Sequence, residues 1–191
     1  YGHNKNGAID AGHVRIYQYT PSGSSSWTLY GDIEGHGASD YSGTSVSLSA
    51  DGTRVAIGAT HNNGVNGTDS GHVRIYDYNG SAWVQVGTDI DGEAAGDKSG
   101  LSVSLSSDGT ILAVGAEAND GANGSDSGHV RVFQYQVISG TATWTQLGAD
   151  IDGEAANDSF GSGLTLSSDG SRVAIGAPAN DGNGSNSGHV R

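Results

Sequence analysis

The stretch LSVSLSSDGTILAVGAEANDGANGSDSGHVRVF (residues 101–133) alternates apolar residues with serine, breaks at Asp108-Gly109 and resumes as TILAVGA. Period-two alternation predicts a β-strand. Asp-Gly between two such runs predicts a tight hairpin, because both residues tolerate positive φ. An Asn/Asp/Gly-rich loop, Asn119 to Ser127, follows and opens into a third apolar run, HVRVF. These residues read as strand, turn, strand, loop, strand.

The chain writes this sentence repeatedly. Gly-His-Val-Arg begins at Gly12, Gly71, Gly128 and Gly188, in steps of 59, 57 and 60 residues. Asp-Gly recurs at Asp51, Asp108 and Asp169, in steps of 57 and 61. A worn copy, HNKNGAIDAGHVRIY, opens at His3. A fixed period is the signature of a repeat architecture. The first strands are Ser45 to Ser49, Leu101 to Ser107 and Gly163 to Ser168. The second are Thr53 to Ala59, Thr110 to Ala116 and Ser171 to Ala177. The third begin at the four histidines, and the fourth carry the three tryptophans, Trp27, Trp83 and Trp144.

Four short antiparallel strands per period of about 60 residues predict an all-β fold built as a β-propeller. A solenoid of stacked hairpins is the rival architecture. Small Ser and Gly residues in the first strands suit a crowded centre, and the aromatic residues of strands three and four suit a wide rim. The expected division is a partial blade at 1–40 (strands three and four), blades at 41–99 and 100–159, and a partial blade at 160–191. A propeller of 4–8 blades needs roughly 240 to 480 residues at this period. The expectation is therefore a segment of a larger propeller, or else an open array completed between chains.

The last copy, FGSGLTLSSDGSRVAIGAP, opens with Phe160-Gly161 and closes with Gly176-Ala177-Pro178. It resembles the FG-GAP repeat, the blade unit of the integrin α-subunit head and of many microbial and algal surface proteins. The other copies keep the frame with altered ends, SGTSVSLSADGTRVAIGAT and SGLSVSLSSDGTILAVGAE. The resemblance implies an extracellular, seven-bladed propeller used in adhesion. It also implies calcium loops of the Asp-x-Asp-x-Asp-Gly kind between strands one and two. This chain departs from that pattern, because the connection at Ser107-Asp108-Gly109 and its equivalents is too short to wrap a cation.

Composition narrows the function classes. With 8 Lys and Arg against 21 Asp and Glu, the net charge is −13. That excludes nucleic acid, whose phosphates need Lys and Arg, and disfavours anionic membrane surfaces. No run is long enough to insert into a membrane. The absence of Cys removes disulfides, thiolate metal sites and a cysteine nucleophile.

The loop between strands two and three is expected on the same face as the connections between blades, Asp89 to Gly100 and Asp150 to Gly161. Asp120, Asn123 and Asp126, with Asp181 in the next copy, offer oxygens for Ca2+. Asn, Asp and Gly also dominate ordinary turns. Asn66, Asn79, Asn123, Asn157 and Asn183 head N-glycosylation sequons, so N-linked glycans are expected if the chain passes a eukaryotic secretory pathway. Asn6-Gly7-Ala8 has lost its acceptor. The repeated His13, His72, His129 and His189 read as structural, bonded to an adjacent turn or strand. Arg15, Arg74 and Arg131 read as partners of neighbouring carboxylates.

An enzyme needs residues placed once. The breaks in the repeat are His36, His61, Lys98, Glu117 and Phe160, and only the two histidines carry catalytic chemistry, without evident partners. The functional expectation is a non-catalytic extracellular or cell-surface binding and adhesion module. It would present acidic loops to cations, glycans or protein partners. The alternatives are a glycosylated structural repeat of a filament or coat, which associates with copies of itself, and a glycan-active propeller enzyme.

Overall fold

In the computed structural model, which describes residues 9–21 and 26–191, all regular structure is β-strand. The start of the worn copy at His3 and Asn6 lies outside the described residues. Strands β1 (His13–Thr20) and β2 (Ser26–Glu34) form the first sheet. The second holds β3 (Ser45–Leu48), β4 (Arg54–Ala59), β5 (His72–Tyr78) and β6 (Trp83–Gln85) in that order, with β7 (Ile90–Asp91) also paired to β5. The third repeats it with β8 (Ser102–Leu105), β9 (Ile111–Ala116), β10 (His129–Ile138), β11 (Thr141–Gln146) and β12 (Ile151–Asp152). The fourth contains β13 (Gly163–Leu166), β14 (Val173–Ala177) and β15 (His189–Val190). All pairings between these strands are antiparallel. The result is a propeller-like stack of repeated sheets without ring closure.

The fourth strand is not continuous where the sequence predicts one run. Tyr76 pairs with Gln85 and Val73 with Ile90, so two extra residues bulge out between β6 and β7. Phe133 and Val130 do the same with Gln146 and Ile151. The first sheet carries one extra residue there, between the Ile16–Gly31 and Tyr17–Leu29 pairs, so β2 stays whole. The difference is Thr88 or Ala149, which has no counterpart after Gly31. Gly87 and Gly148 turn these bulges at φ 80° and 74°, where a side chain is disfavoured.

The bulge changes how neighbouring sheets meet. Trp144 donates its indole N–H to the Val86 carbonyl of the preceding unit at 3.2 Å. The equivalent Trp83 lies against Gly31, and its buried Nε1 has no partner. Replacing an indole that makes a buried hydrogen bond costs about 1 kcal/mol more than replacing one that makes none. We therefore expect Trp144→Phe to lose about 1 kcal/mol relative to Trp83→Phe in urea denaturation.

Each inner sheet buries both faces. Val55, Ile57 and Tyr76 pack on Val14, Ile16 and Ile33 of the first sheet. Their neighbours Ala56, Val73 and Ile75 face Val103, Leu105, Leu112, Val114 and Phe133 of the third. Ala113 and Val130 then meet Phe160, Ile175 and Ala177 of the fourth. Arg54 crosses the seam between the second and third sheets. It holds Asp77 through Nε at 2.6 Å and Nη2 at 2.7 Å, and donates Nη1 to the Gly109 carbonyl at 2.8 Å. Its guanidinium lies 4.1 Å from the Tyr135 ring centre, a stacking geometry that also favours the cation.

At the centre, serines stitch one inner strand to the next. Ser45 and Ser102 donate Oγ to the carbonyls of Gly100 and Gly161 at 2.7 and 2.6 Å. Ser47 and Ser104 accept from the Leu105 and Leu166 amides at 3.0 Å. The Asp-Gly turns close on themselves. Asp51, Asp108 and Asp169 accept from the Ser two residues before and from the amide two residues after. Those hydroxyl and amide donors hold all three carboxyls below the usual range, that of Asp169 down to about 2.

Candidate functional site

The connections leaving each sheet and the loops between strands two and three share one face. A buried aspartate organises each connection. Asp40 Oδ2 accepts from the Gly37 amide at 2.9 Å, Asp97 from Glu93 and Ala94 at 3.0 and 2.7 Å, and Asp158 from Ala155 at 3.1 Å. Asn119 and Asn180 of the following units donate side-chain amides to Asp97 and Asp158 at 3.4 and 2.8 Å. The residue after each aspartate, Tyr41, Lys98 or Ser159, is held at φ 53°, 55° or 54°. For non-glycine residues this left-handed backbone is uncommon and is sustained by its surroundings.

The loop from Asn119 to Ser127 lies on the connection that leaves its own sheet. Asn123 Nδ2 donates to the Gly153 carbonyl at 2.7 Å, and Asn66 Nδ2 donates to Gly92 at the same distance. The amides of Asn157, Ser159 and Phe160 bond back to the carbonyls of Ser125, Asp126 and Ser127. Asp120 Oδ1 accepts from the Asp126 amide at 2.9 Å, and Asp181 Oδ1 from the Asn186 amide at 2.6 Å. Asp120, Asn123 and Asp126 are exposed, and these bonds are turn chemistry.

For the sequons, the inward bonds matter. A glycan on Asn66 or Asn123 would be attached at the nitrogen that now ties the loop down. Asn79 instead uses only its oxygen, accepting from the Ser81 and Ala82 amides in the exposed β5–β6 turn. Asn157 sits at φ 64° in its connection, and Asn183 bonds Ser187 through its backbone amide at 3.2 Å.

Each of the four repeated histidines faces a carboxylate. His13 contacts the Asp32 carboxylate, and His189 lies 3.3 Å from Glu154. His72 Nδ1 lies 3.6 Å from Asp89, which Arg74 clamps at 2.7 Å. Burial, followed by the nearby Arg74 charge, lowers the His72 pKa to about 4. Burial and Arg131 push His129 the same way.

Three of the five breaks in the repeat, His61, Lys98 and Glu117, converge. Tyr41, Thr44, Thr60 and His61 of the second unit face Lys98, Leu101 and Glu117 of the third across a cleft of about 330 Å3. Small-molecule sites begin at about that size. The His61 ring meets Tyr41 edge-on at 4.8 Å, and its Nδ1 lies 3.0 Å from the Thr60 hydroxyl. Thr44 donates to the Tyr41 carbonyl at 2.8 Å. Glu117 accepts from Ser162 at 2.7 Å, which holds that carboxylate from the next unit. At the positions of Thr60 and His61, the last copy has Pro178 and Ala179. His36 is elsewhere, in the connection beside Asp32 and Trp83. Phe160 is buried in the core between the third and fourth sheets.

Sequence reading flagged His61, Lys98 and Glu117 singly but gave them no shared place. Aligning the copies column by column would have paired Tyr41 with Lys98 and Thr60 with Glu117. Their meeting across a seam depends on how units stack.

Residues 88–133, from the end of one sheet to the third strand of the next, match the sequence model of a family described as FG-GAP repeat. That stretch is similar to one FG-GAP repeat. No curated protein matches it in sequence. The FG-GAP frame explains the glycines that meet at each seam. Gly100 and Gly161, at φ 87° and 91°, donate to the Gly115 and Gly176 carbonyls at 3.0 Å. Their own carbonyls press on the Cα positions of Gly58 and Gly115 in the preceding unit.

Proposed function

We propose that this FG-GAP array is a non-catalytic extracellular binding module, and that the cleft between its second and third units takes an acidic glycan. The observation behind this reading is the convergence of Tyr41, His61, Lys98 and Glu117, which depart from the repeat, in one cleft. Lys98 is one of two lysines in a chain of net charge −13, so a cation here is a local exception. A carboxylate-bearing sugar matches it. The Tyr41 and His61 rings offer faces for sugar C–H groups, and Thr44, Thr60 and Glu117 offer hydroxyl and carboxylate partners. FG-GAP repeats are typically extracellular, non-catalytic binding modules. Among the described residues no helix is long and apolar enough to cross a membrane.

The test is calorimetric titration with uronic-acid oligosaccharides and their neutral counterparts. We expect saturable binding of the acidic set and at least a tenfold loss in Lys98→Ala, about 1.4 kcal/mol. Equal binding of neutral sugars, or unchanged affinity in Lys98→Ala, overturns the reading. The loop residues Asp120, Asn123, Asp126 and Asp181 remain candidates for Ca2+ in the same module, and the five sequons for N-linked glycans.

A further inference from the structure

Among the described residues, two groups of His, Asp and Glu place three ligand atoms within 4.8 Å of one another. One of them, Glu93, His129 and Asp150, bridges two repeats. Glu93 lies in the connection leaving the second sheet, His129 opens β10 of the third, and Asp150 sits in the bulge just before β12. The His129 Nδ1 is 3.9 Å from Glu93 Oε2 and 3.8 Å from Asp150 Oδ2. Those separations are too long for hydrogen bonds. They approach the roughly 3.4 Å between two ligands held by one tetrahedral dication at about 2.0–2.2 Å.

The side chain at the apex is 1% exposed, and both carboxylate oxygens that face its Nδ1 lie beyond hydrogen-bond distance. Buried polar groups normally find a partner, so this ring is aimed at two carboxylates without being satisfied by either. The carboxylates are prepared for a shared guest. Gln146 Nε2 donates to Asp150 Oδ1 at 2.7 Å, fixing the carboxylate with Oδ2 towards His129. Such outer-shell donors are typical of metal ligands. Arg131 makes its short bond to the Asp91 carbonyl at 2.7 Å and meets only Glu93 Oε1, at 3.5 Å, leaving Oε2 towards the histidine.

We infer that Glu93, His129 and Asp150 form a site for a transition-metal dication of the zinc type, joining neighbouring repeats. One imidazole nitrogen and two carboxylates suit such ions, whereas Ca2+ and Mg2+ prefer oxygen alone. Two carboxylates also balance the charge of a dication. The second group, His72, Asp89 and Asp91, is a weaker copy, because Arg74 already holds Asp89 through two nitrogens.

The test uses the untagged full chain stripped with chelator, titrated calorimetrically with Zn2+ and separately with Ca2+. Co2+ serves as the spectroscopic probe. Glu93→Gln and Asp150→Asn keep shape and touch only the rim of the site. We expect saturable Zn2+ binding, a visible Co2+ absorption band of a low-coordinate nitrogen–oxygen set, and at least a tenfold loss of Zn2+ affinity in each variant. Circular dichroism should show both variants folded without metal. Absence of saturable Zn2+ binding overturns the site. So does undiminished affinity in the doubly substituted chain, or binding of Ca2+ as tight as that of Zn2+.

Discussion

Gly115→Val is expected to destabilise the array by about 3 kcal/mol, near the upper end for overpacking a close-packed interior. The residue has an ordinary extended backbone, so the glycine is not there for its turn. A Cβ at this position would overlap the Gly161 carbonyl oxygen and the Ser102 hydroxyl. Both are fixed. The carbonyl accepts the Ser102 Oγ bond, and the Gly161 amide donates to Gly176. Relief would require the third and fourth sheets to part at their inner strands, exposing Ala113, Val130 and Phe160. Equilibrium denaturation should show a lower midpoint, and tryptophan fluorescence should report whether the loss spreads to the second sheet. Gly52→Ala is the control, because a Cβ there meets nothing within 4 Å. It carries only the cost of its positive φ, about 1 kcal/mol.

The second large effect is acid lability. Folded His72 has a pKa of about 4, against about 6.5 when exposed, so the unfolded chain binds the extra proton in between. Stability therefore falls as pH drops from about 6.5 to about 4, and the full penalty holds below that. The shift corresponds to about 3 kcal/mol. Burial and the Arg74 charge disfavour the imidazolium, and His36 adds to them. Asp89 and Asp40 act the other way. Urea midpoints between pH 7.5 and 4, in chelator, should trace the loss, and His72→Gln should flatten it. An unchanged pH profile in His72→Gln would assign the acid step elsewhere.

Much of the fold was legible because local chemistry decides it. Alternating Ser with Val or Leu, the Asp-Gly turns and the Gly-His-Val-Arg starts are each read within a few residues. The strands they predict are those observed as β3 to β5 and β8 to β10. The split fourth strand was not legible. One residue, Thr88 or Ala149, changes the bulge, and strand periodicity is blind to an inserted residue that points nowhere regular. The loop face was legible as a surface but not as a site. The acids that drew attention, Asp120 and Asp126, spend bonds on their own turn. The residues that meet, such as His61 with Lys98 and Glu93 with His129, are contributed by different units, and no spacing within one unit encodes that.

The cleft has one wall from each of two successive repeats. Duplication, deletion or exchange of a single repeat in a gene would therefore put a new pair of walls face to face, leaving each wall's own sequence intact. On the function proposed for the cleft, ligand preference in such an array would follow from the order of its units.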